Sequence, residues 1–146
     1  MVVKVQKVGH VVLRVESLSR SLPFYSSVLG LREVARRDFG EGPMVFLSSG
    51  DTHHDLALVE TGQRNQSGTL HHVAMKVGES LQDLAEVKAT VEAAGVPVHM
   101  ELDHHVSQGL YVSDPDGTLI ELYVDADPQV WQEDPSRVAN SDPLSL

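Results

Sequence analysis

The stretch His10-Val11-Val12-Leu13-Arg14-Val15 returns 62 residues later as His72-Val73-Ala74-Met75-Lys76-Val77, and a third segment, Leu119-Ile120-Glu121-Leu122-Tyr123-Val124, alternates in the same way. Alternation of apolar and other residues is the pattern of a strand with one buried face, because successive side chains point to opposite sides of a sheet. Val11, Leu13 and Val15 share one face, and His10, Val12 and Arg14 share the other. The second copy sets Val73, Met75 and Val77 opposite His72, Ala74 and Lys76. The third segment sets Ile120, Leu122 and Val124 opposite Leu119, Glu121 and Tyr123. Phase therefore selects His72, not its neighbour His71, as the counterpart of His10. A duplicated unit folds as two similar halves, and residues at matching places come together across the seam. The expectation is that His10, His72 and Glu121 line one cavity while helices cover the apolar faces.

Two copies of about 60 residues account for nearly all of the 146-residue chain, which is large enough to bury a core without staples. With 21 acidic against 11 basic residues, the formal charge is −10. That argues against nucleic acid or an anionic membrane as partner, since both require clustered Lys or Arg. A small molecule is the expected partner. The absence of cysteine excludes disulfides, thiolate nucleophiles and Cys-ligated metal centres. The apolar runs are of strand length, so no signal peptide or membrane span is expected, and a soluble cytoplasmic protein is the default.

Each half reads as strand, helix, then three strands. In the first, Ser17 is placed to cap a helix through Leu18, Leu22, Tyr25 and Val28 that ends at Gly30, with Pro23 removing one helical hydrogen bond. Strands are expected at Leu31 to Val34, Met44 to Leu47 and Leu56 to Val59. In the second, Leu81, Leu84, Val87, Val91 and Ala94 mark one face of a helix from Ser80 to Ala94, closed by Gly95. Strands follow at Val96 to Met100, Leu110 to Ser113 and Thr118 to Val124, the last after a turn at Asp114-Pro115-Asp116-Gly117. The expected fold is α+β: two βαβββ modules, residues 6–60 and 69–125, in a pseudo-two-fold, partly open mixed β-sheet barrel with helices outside. Residues 61–68 are the linker. In the Pro-rich tail, 126–146, Trp131 is expected to dock on the body and the last ten or so residues to be poorly ordered.

Taken singly, a histidine on a strand is more often a satisfied structural residue than a ligand. Two histidines and a glutamate in matching phase on duplicated strands are a different observation. Two imidazoles and one carboxylate supply nitrogen donors and a hard oxygen to one face of a divalent ion and leave positions open. This set suits non-haem Fe(II), with Mn, Zn or Ni as alternatives.

Gly9-His10-Val11-Val12, Ser21-Leu22-Pro23-Phe24-Tyr25 with Val28-Leu29-Gly30-Leu31, His71-His72-Val73-Ala74, and Leu110-Tyr111 through Asp114-Pro115-Asp116-Gly117-Thr118-Leu119-Ile120-Glu121-Leu122 together resemble the vicinal oxygen chelate superfamily, and within it the extradiol catechol dioxygenases. The resemblance spans about residues 6–131. It implies metal ligation by His10, His72 and Glu121 and ring cleavage of a catechol with O2. Glyoxalase-like members usually carry a second glutamate in the first copy. Here His53-His54-Asp55-Leu56-Ala57-Leu58 puts Ala57 at that place, with Asp55 two residues away. Three ligands fit oxygen activation better than four.

By the same resemblance His54 is the acid–base histidine. Asp103-His104-His105-Val106-Ser107 is similar to a dioxygenase stretch with glycine where His105 stands, a change expected to alter a backbone turn. His104 and Tyr111 would then contact substrate oxygens. His99 matches no motif, and Arg14 and Lys76 read as charges that neutralise the cavity. Substrate choice is expected to lie in loops at 36–44 and 101–108. Two rivals stand beside the dioxygenase: another metalloenzyme of the superfamily, such as a glyoxalase-type lyase, epimerase or antibiotic-modifying thiol transferase, and a metal-free drug-binding protein. Exposed sheet edges make a homodimer the expected assembly.

Overall fold

In a computed structural model describing residues 8–38, 40–50, 52–64 and 70–146, the alternating stretches form strands, and both halves have the same order of elements. The chain divides into two units, Met1–Gln66 and Ser67–Leu146. The first contains β1 (Val11–Val15), α1 (Leu18–Pro23), a π-helical segment (Phe24–Val28), β2 (Arg32–Asp38), β3 (Pro43–Ser48) and β4 (Leu56–Glu60). The second contains β5 (Val73–Lys76), α2 (Leu81–Ala93), β6 (Val98–Asp103), β7 (Ser107–Ser113) and β8 (Leu119–Asp125). It continues with α3 (Pro128–Glu133), a 3-10 turn (Pro135–Ala139) and β9 (Asp142–Pro143). Part of the expected linker and the first residues of the expected first module lie outside the described residues, as does the side chain of Trp131.

Each unit is built on an unclosed mixed sheet. The strand order is β1-β4-β3-β2 in the first and β5-β8-β7-β6-β9 in the second. β1 lies parallel to β4 and β5 parallel to β8, and the remaining pairs are antiparallel. Apolar alternation sets the register. Val73 pairs with Ile120 and Met75 with Leu122, and Ile120 and Leu122 pair in turn with Val112 and Leu110. Ile120, Leu122, Val112 and Leu110 are fully buried, with α2 packed against β6, β7 and β8. Leu13, Val15, Val45, Leu47, Leu56 and Leu58 form the corresponding apolar face of the first sheet. Each such side chain contributes roughly 1.5–3 kcal/mol of hydrophobic stabilisation.

The helices differ in how they start. Ser80 accepts from the Asp83 amide, and the Asp83 carboxylate accepts from the Ser80 amide, a reciprocal capping box. Those bonds hold the Asp83 carboxyl below its usual range, the Glu79 amide contributing most. The expected Ser17 cap is corrected by the structure. Its hydroxyl meets Ser19, while the Leu18 amide donates to the Glu60 carboxylate at 2.7 Å, so the last strand of the unit caps its helix. Pro23 does more than remove one bond. The helix widens from α to π there, with the Leu29 amide reaching the Phe24 carbonyl and the Ser26 hydroxyl donating to the Leu22 carbonyl.

Strand boundaries also move. β1 and β5 begin one residue after His10 and His72, and β2 runs to Asp38, so a hairpin replaces most of the loop expected at 36–44. Glu101–Asp103 belong to β6, which leaves a short turn at 104–106 before β7. In the tail, β9 pairs antiparallel with β6, Leu102 opposite Pro143 and Asp103 opposite Asp142. Removing the α2 cap with Ser80→Ala is expected to lower unfolding free energy by roughly 1 kcal/mol. Denaturant unfolding should show a lower midpoint at unchanged m-value; an unshifted midpoint would refute the capping role.

Candidate metal and proton-transfer site

The sheet face opposite the apolar core carries the chemistry in each unit. In the second, register sets Glu121 between Ala74 on β5 and Tyr111 on β7. The small Ala74 side chain and Gly109, two residues before Tyr111, leave space around the carboxylate. A Cβ at Gly109 would lie 2.9 Å from Glu121 Oε1 and 3.2 Å from its Cγ. A glycine inside a strand is often such a point of close approach, a signal available in the sequence but not used there.

His72 sits just ahead of β5 with Nε2 3.2 Å from Glu121 Oε2, and its ring stands edge-on to Tyr111 at 5.9 Å. His71 touches the His72 ring, Nδ1 to Nδ1 at 2.7 Å, while His72 reaches Glu121. A carboxylate oxygen only accepts, so in this contact His72 Nε2 is the donor.

Glu121 is 7% exposed and has a second histidine near it. His104 Nε2 lies 3.9 Å from Oε1 and 2.9 Å from the Tyr111 hydroxyl. His104 Nδ1 is 2.7 Å from the backbone carbonyl of Asn140 in the tail. Burial, the charge of Glu121 and a hydrogen bond to it push the Tyr111 phenol up to about 12. Tyr111 is therefore a neutral phenol that can donate to Glu121, with its hydroxyl also within hydrogen-bond distance of His104 Nε2.

The turn before β7 adopts the conformation that its glycine-free sequence disfavours. His105 has φ +66°, a left-handed geometry that costs a non-glycine residue about 1 kcal/mol. The turn is held by Asp103 Oδ1, which accepts from the His105 amide at 2.7 Å, and by the His104 amide donating to the Ser107 carbonyl. These bonds hold His105 in its left-handed conformation.

In the first unit, His10 and His54 have ring centroids 4.4 Å apart, and His54 stands edge-on to Phe46 at 5.3 Å. His54 Nδ1 meets His53 Nδ1 at 2.6 Å. Desolvation and then the neighbouring His10 and His53 rings lower the His54 pKa, only partly opposed by Asp55, which favours the neutral base. Asp55 is not placed as a replacement ligand. Its carboxylate accepts from the Ser49 amide, the Ser49 hydroxyl and the Thr52 hydroxyl, closing the loop that presents His53 and His54.

The two sheets also establish an equivalence. Ala57 pairs with Val12 and Phe46 as Glu121 pairs with Ala74 and Tyr111. The first unit therefore has a methyl group at the place where the second has its carboxylate. Arg14 and Lys76, expected to neutralise the cavity, are engaged elsewhere: Arg14 with Glu41, Lys76 with Glu79 and Asp125. His99 hydrogen-bonds Ser113 on the neighbouring strand.

His10 and His54 belong to one unit, and His72, His104, Tyr111 and Glu121 to the other. Among the described residues no three His, Asp or Glu side chains converge as a metal cluster. The donor types nonetheless suit a divalent first-row ion, since an imidazole nitrogen and a carboxylate oxygen already lie in contact.

The profile of the Glyoxalase/Bleomycin resistance protein/Dioxygenase superfamily matches residues 7–122. The chain belongs to this superfamily. It is 33% identical over 132 residues to a catechol-2,3-dioxygenase of Bacillus subtilis (strain 168), covering 87% of this chain but 44% of that protein. It is 30% identical over 124 residues to a lactoylglutathione lyase of Neisseria meningitidis, covering 77% of this chain and 86% of the lyase. The chain thus spans less than half the length of the first relative and most of the second. Its fold is similar to that of the fosfomycin resistance protein FosX from Listeria monocytogenes, with TM-score 0.72 and 20% identity over 89% of this chain and 99% of that one. Superfamily membership does not by itself select a reaction. No helix among the described residues is long and apolar enough to cross a membrane.

The Tyr111 environment has a direct readout. At pH 10, where an unperturbed phenol is half ionised, the Tyr111 resonance in a ring-labelled tyrosine NMR titration should still be that of the neutral form. Glu121→Gln removes the negative neighbour, so Tyr111 should then ionise at lower pH, though burial keeps it above the ordinary value. An unchanged titration in that variant would show that Glu121 does not act on the phenol.

Proposed function

We propose that the protein is a metal-dependent extradiol dioxygenase that cleaves a catechol-type ring with O2. In this reading the two units pair as a pseudo-two-fold, partly open barrel, so that His10 joins His72 and Glu121 around one divalent ion. One observation carries the proposal: the position equivalent to Glu121 in the first unit is Ala57, so no carboxylate stands there to serve as a fourth ligand. The similarity to a catechol-2,3-dioxygenase and to a biphenyl-2,3-diol 1,2-dioxygenase of Rhodococcus globerulus, 29% identical over 124 residues, supports it.

Fe(II) in such a ligand set, with Mn, Zn or Ni as alternatives, would chelate both oxygens of a diol and bring O2 beside it. The protein groups supply binding and proton management. His72 and Glu121, whose Nε2 and Oε2 lie 3.2 Å apart, would hold the ion together with His10. The neutral Tyr111 phenol donates a hydrogen bond to a substrate oxygen, and His104 Nε2 accepts one. His54, held as a neutral base, takes up a diol proton.

A second reading is a glyoxalase-type lyase, favoured by the close match in length to the lactoylglutathione lyase, 86% of which the chain covers. Consumption of O2 separates the two. Anaerobic reconstitution with Fe(II), then a panel of catechols, should give oxygen uptake matched by yellow ring-opened product. No uptake with any diol, together with turnover of a 2-oxoaldehyde thiol adduct by the Zn or Ni form, would replace the dioxygenase with the lyase.

The ligand choice has its own tests. His72→Ala should abolish metal retention in equilibrium dialysis while His71→Ala largely spares it; equal losses would refute the choice. Gly109→Ala should push the Glu121 carboxylate aside and weaken Fe(II) or Co(II) binding by about 10–100-fold. The unfolding free energy should change by less than about 1 kcal/mol, because the clash is with a flexible side chain and alanine suits a strand better than glycine.

A further inference from the structure

The geometry points to the C-terminal segment 140–146 as a strap whose Asn140 carbonyl sets the tautomer of His104, leaving His104 Nε2 bare toward Tyr111 and Glu121. A backbone carbonyl has no proton to give, so the 2.7 Å contact makes Nδ1 the protonated nitrogen of the neutral ring. Nε2 is then an acceptor, 2.9 Å from the hydroxyl of a phenol that is held neutral and so keeps a proton to donate. The opposite tautomer would set Nδ1 and a carbonyl oxygen, two acceptors, against each other. Asn140 is a positioning residue acting through its main chain, and the segment that carries it is the device.

The strap is fastened at several points along β6. Asp142 and Pro143 form β9 against Asp103 and Leu102. The Leu144 amide donates to the Glu101 carbonyl at 3.1 Å, and the Leu146 amide donates to the Glu101 carboxylate at 3.0 Å. Lys88 on α2 holds the other carboxylate oxygen at 2.5 Å, linking the tail to the helix through Glu101.

His105 supplies a further fastening. Its Nε2 lies 2.5 Å from Asp142 Oδ2. Glycine would fit the +66° φ without strain, but it would have no imidazole to reach the strap. The left-handed histidine is thus explained by its side chain: His104 faces the site, and the next residue pins the segment that orients it. The role of the bare nitrogen as a proton acceptor for substrate rests on the dioxygenase reading. The tautomer and its dependence on the strap do not.

The test uses the metal-free, substrate-free, 15N-labelled full chain at about pH 8, above the ordinary imidazole range. Long-range proton–nitrogen correlation reads both ring nitrogens of His104, assigned with His104→Gln. Nδ1 is expected in the pyrrole-type range and Nε2 in the acceptor range. Asp142→Ala and His105→Gly should each shift both resonances toward the opposite tautomer, His105→Gly without loss of stability from the backbone. A chain ending at Ala139 should lose the Nδ1–H form altogether.

A wild-type ring protonated at Nε2 overturns the inference, as does a folded shortened chain that keeps the Nδ1–H signature. Should the shortened chain fail to fold, unchanged His104 signals in both full-length variants overturn the strap. Since no metal, diol or O2 is present, these outcomes are independent of whether the oxygen-uptake experiment succeeds.

Discussion

The parallel pairing of β5 with β8 is the constraint on which the second unit's chemistry depends. Side chains alternate along both strands, so a slip of one residue would carry Glu121 into the layer under α2 and bring an apolar neighbour to the polar face. Ile120, Leu122 and Val124 prevent the slip by filling the helix-covered layer, where each is buried. The turn before β8 adds a local stop: Asp114 Oδ1 accepts from the Asp116 and Thr118 amides and so determines where the strand begins. Hydrophobic burial on one face thereby positions an ionisable group on the other.

The equivalent pairing of β1 with β4 obeys the same rule with different content. Four consecutive residues of β4, Leu56 to Val59, are buried, and the middle of the polar-face row is Ala57. A carboxylate removed from water needs partners, and Glu121 has His72 and Tyr111 within reach. In the first unit the polar groups have moved to the loop before β4, where Asp55 closes the turn and His54 stands between His10 and Phe46. One duplicated scaffold therefore carries a carboxylate and a phenol on one copy and an imidazole cluster on the other.

The tail shows how an edge strand can be given a function. β6 would otherwise present unpaired backbone groups, and β9 covers part of that edge. The same cover brings the Asn140 carbonyl to His104 and Asp142 to His105. Backbone strain at His105 is offset by contacts formed with residues more than thirty positions away, so neither the turn nor the tail is intelligible without the other.

The order of elements in each unit, the strand faces and the phase that brings His72 to Glu121 could be read from alternation, because period and phase are local properties that burial enforces. The Ala57 equivalence was likewise legible from the matching stretches around Glu121. The edges of elements were less so. Ser17 carries the residue type of a cap, yet Glu60, supplied by a strand distant in sequence, takes the amide; Pro23 signalled an interruption without saying that the helix would widen. The carbonyl that orients His104 had no signal at all, since every residue has one and only folding brings Asn140 to that ring. Sequence alone determined which residues share a face, because side-chain direction follows the covalent geometry of an extended chain. Tertiary structure decided which atoms meet, because hydrogen-bond partners, tautomers and the space at Gly109 depend on segments that become neighbours only when the sheet forms.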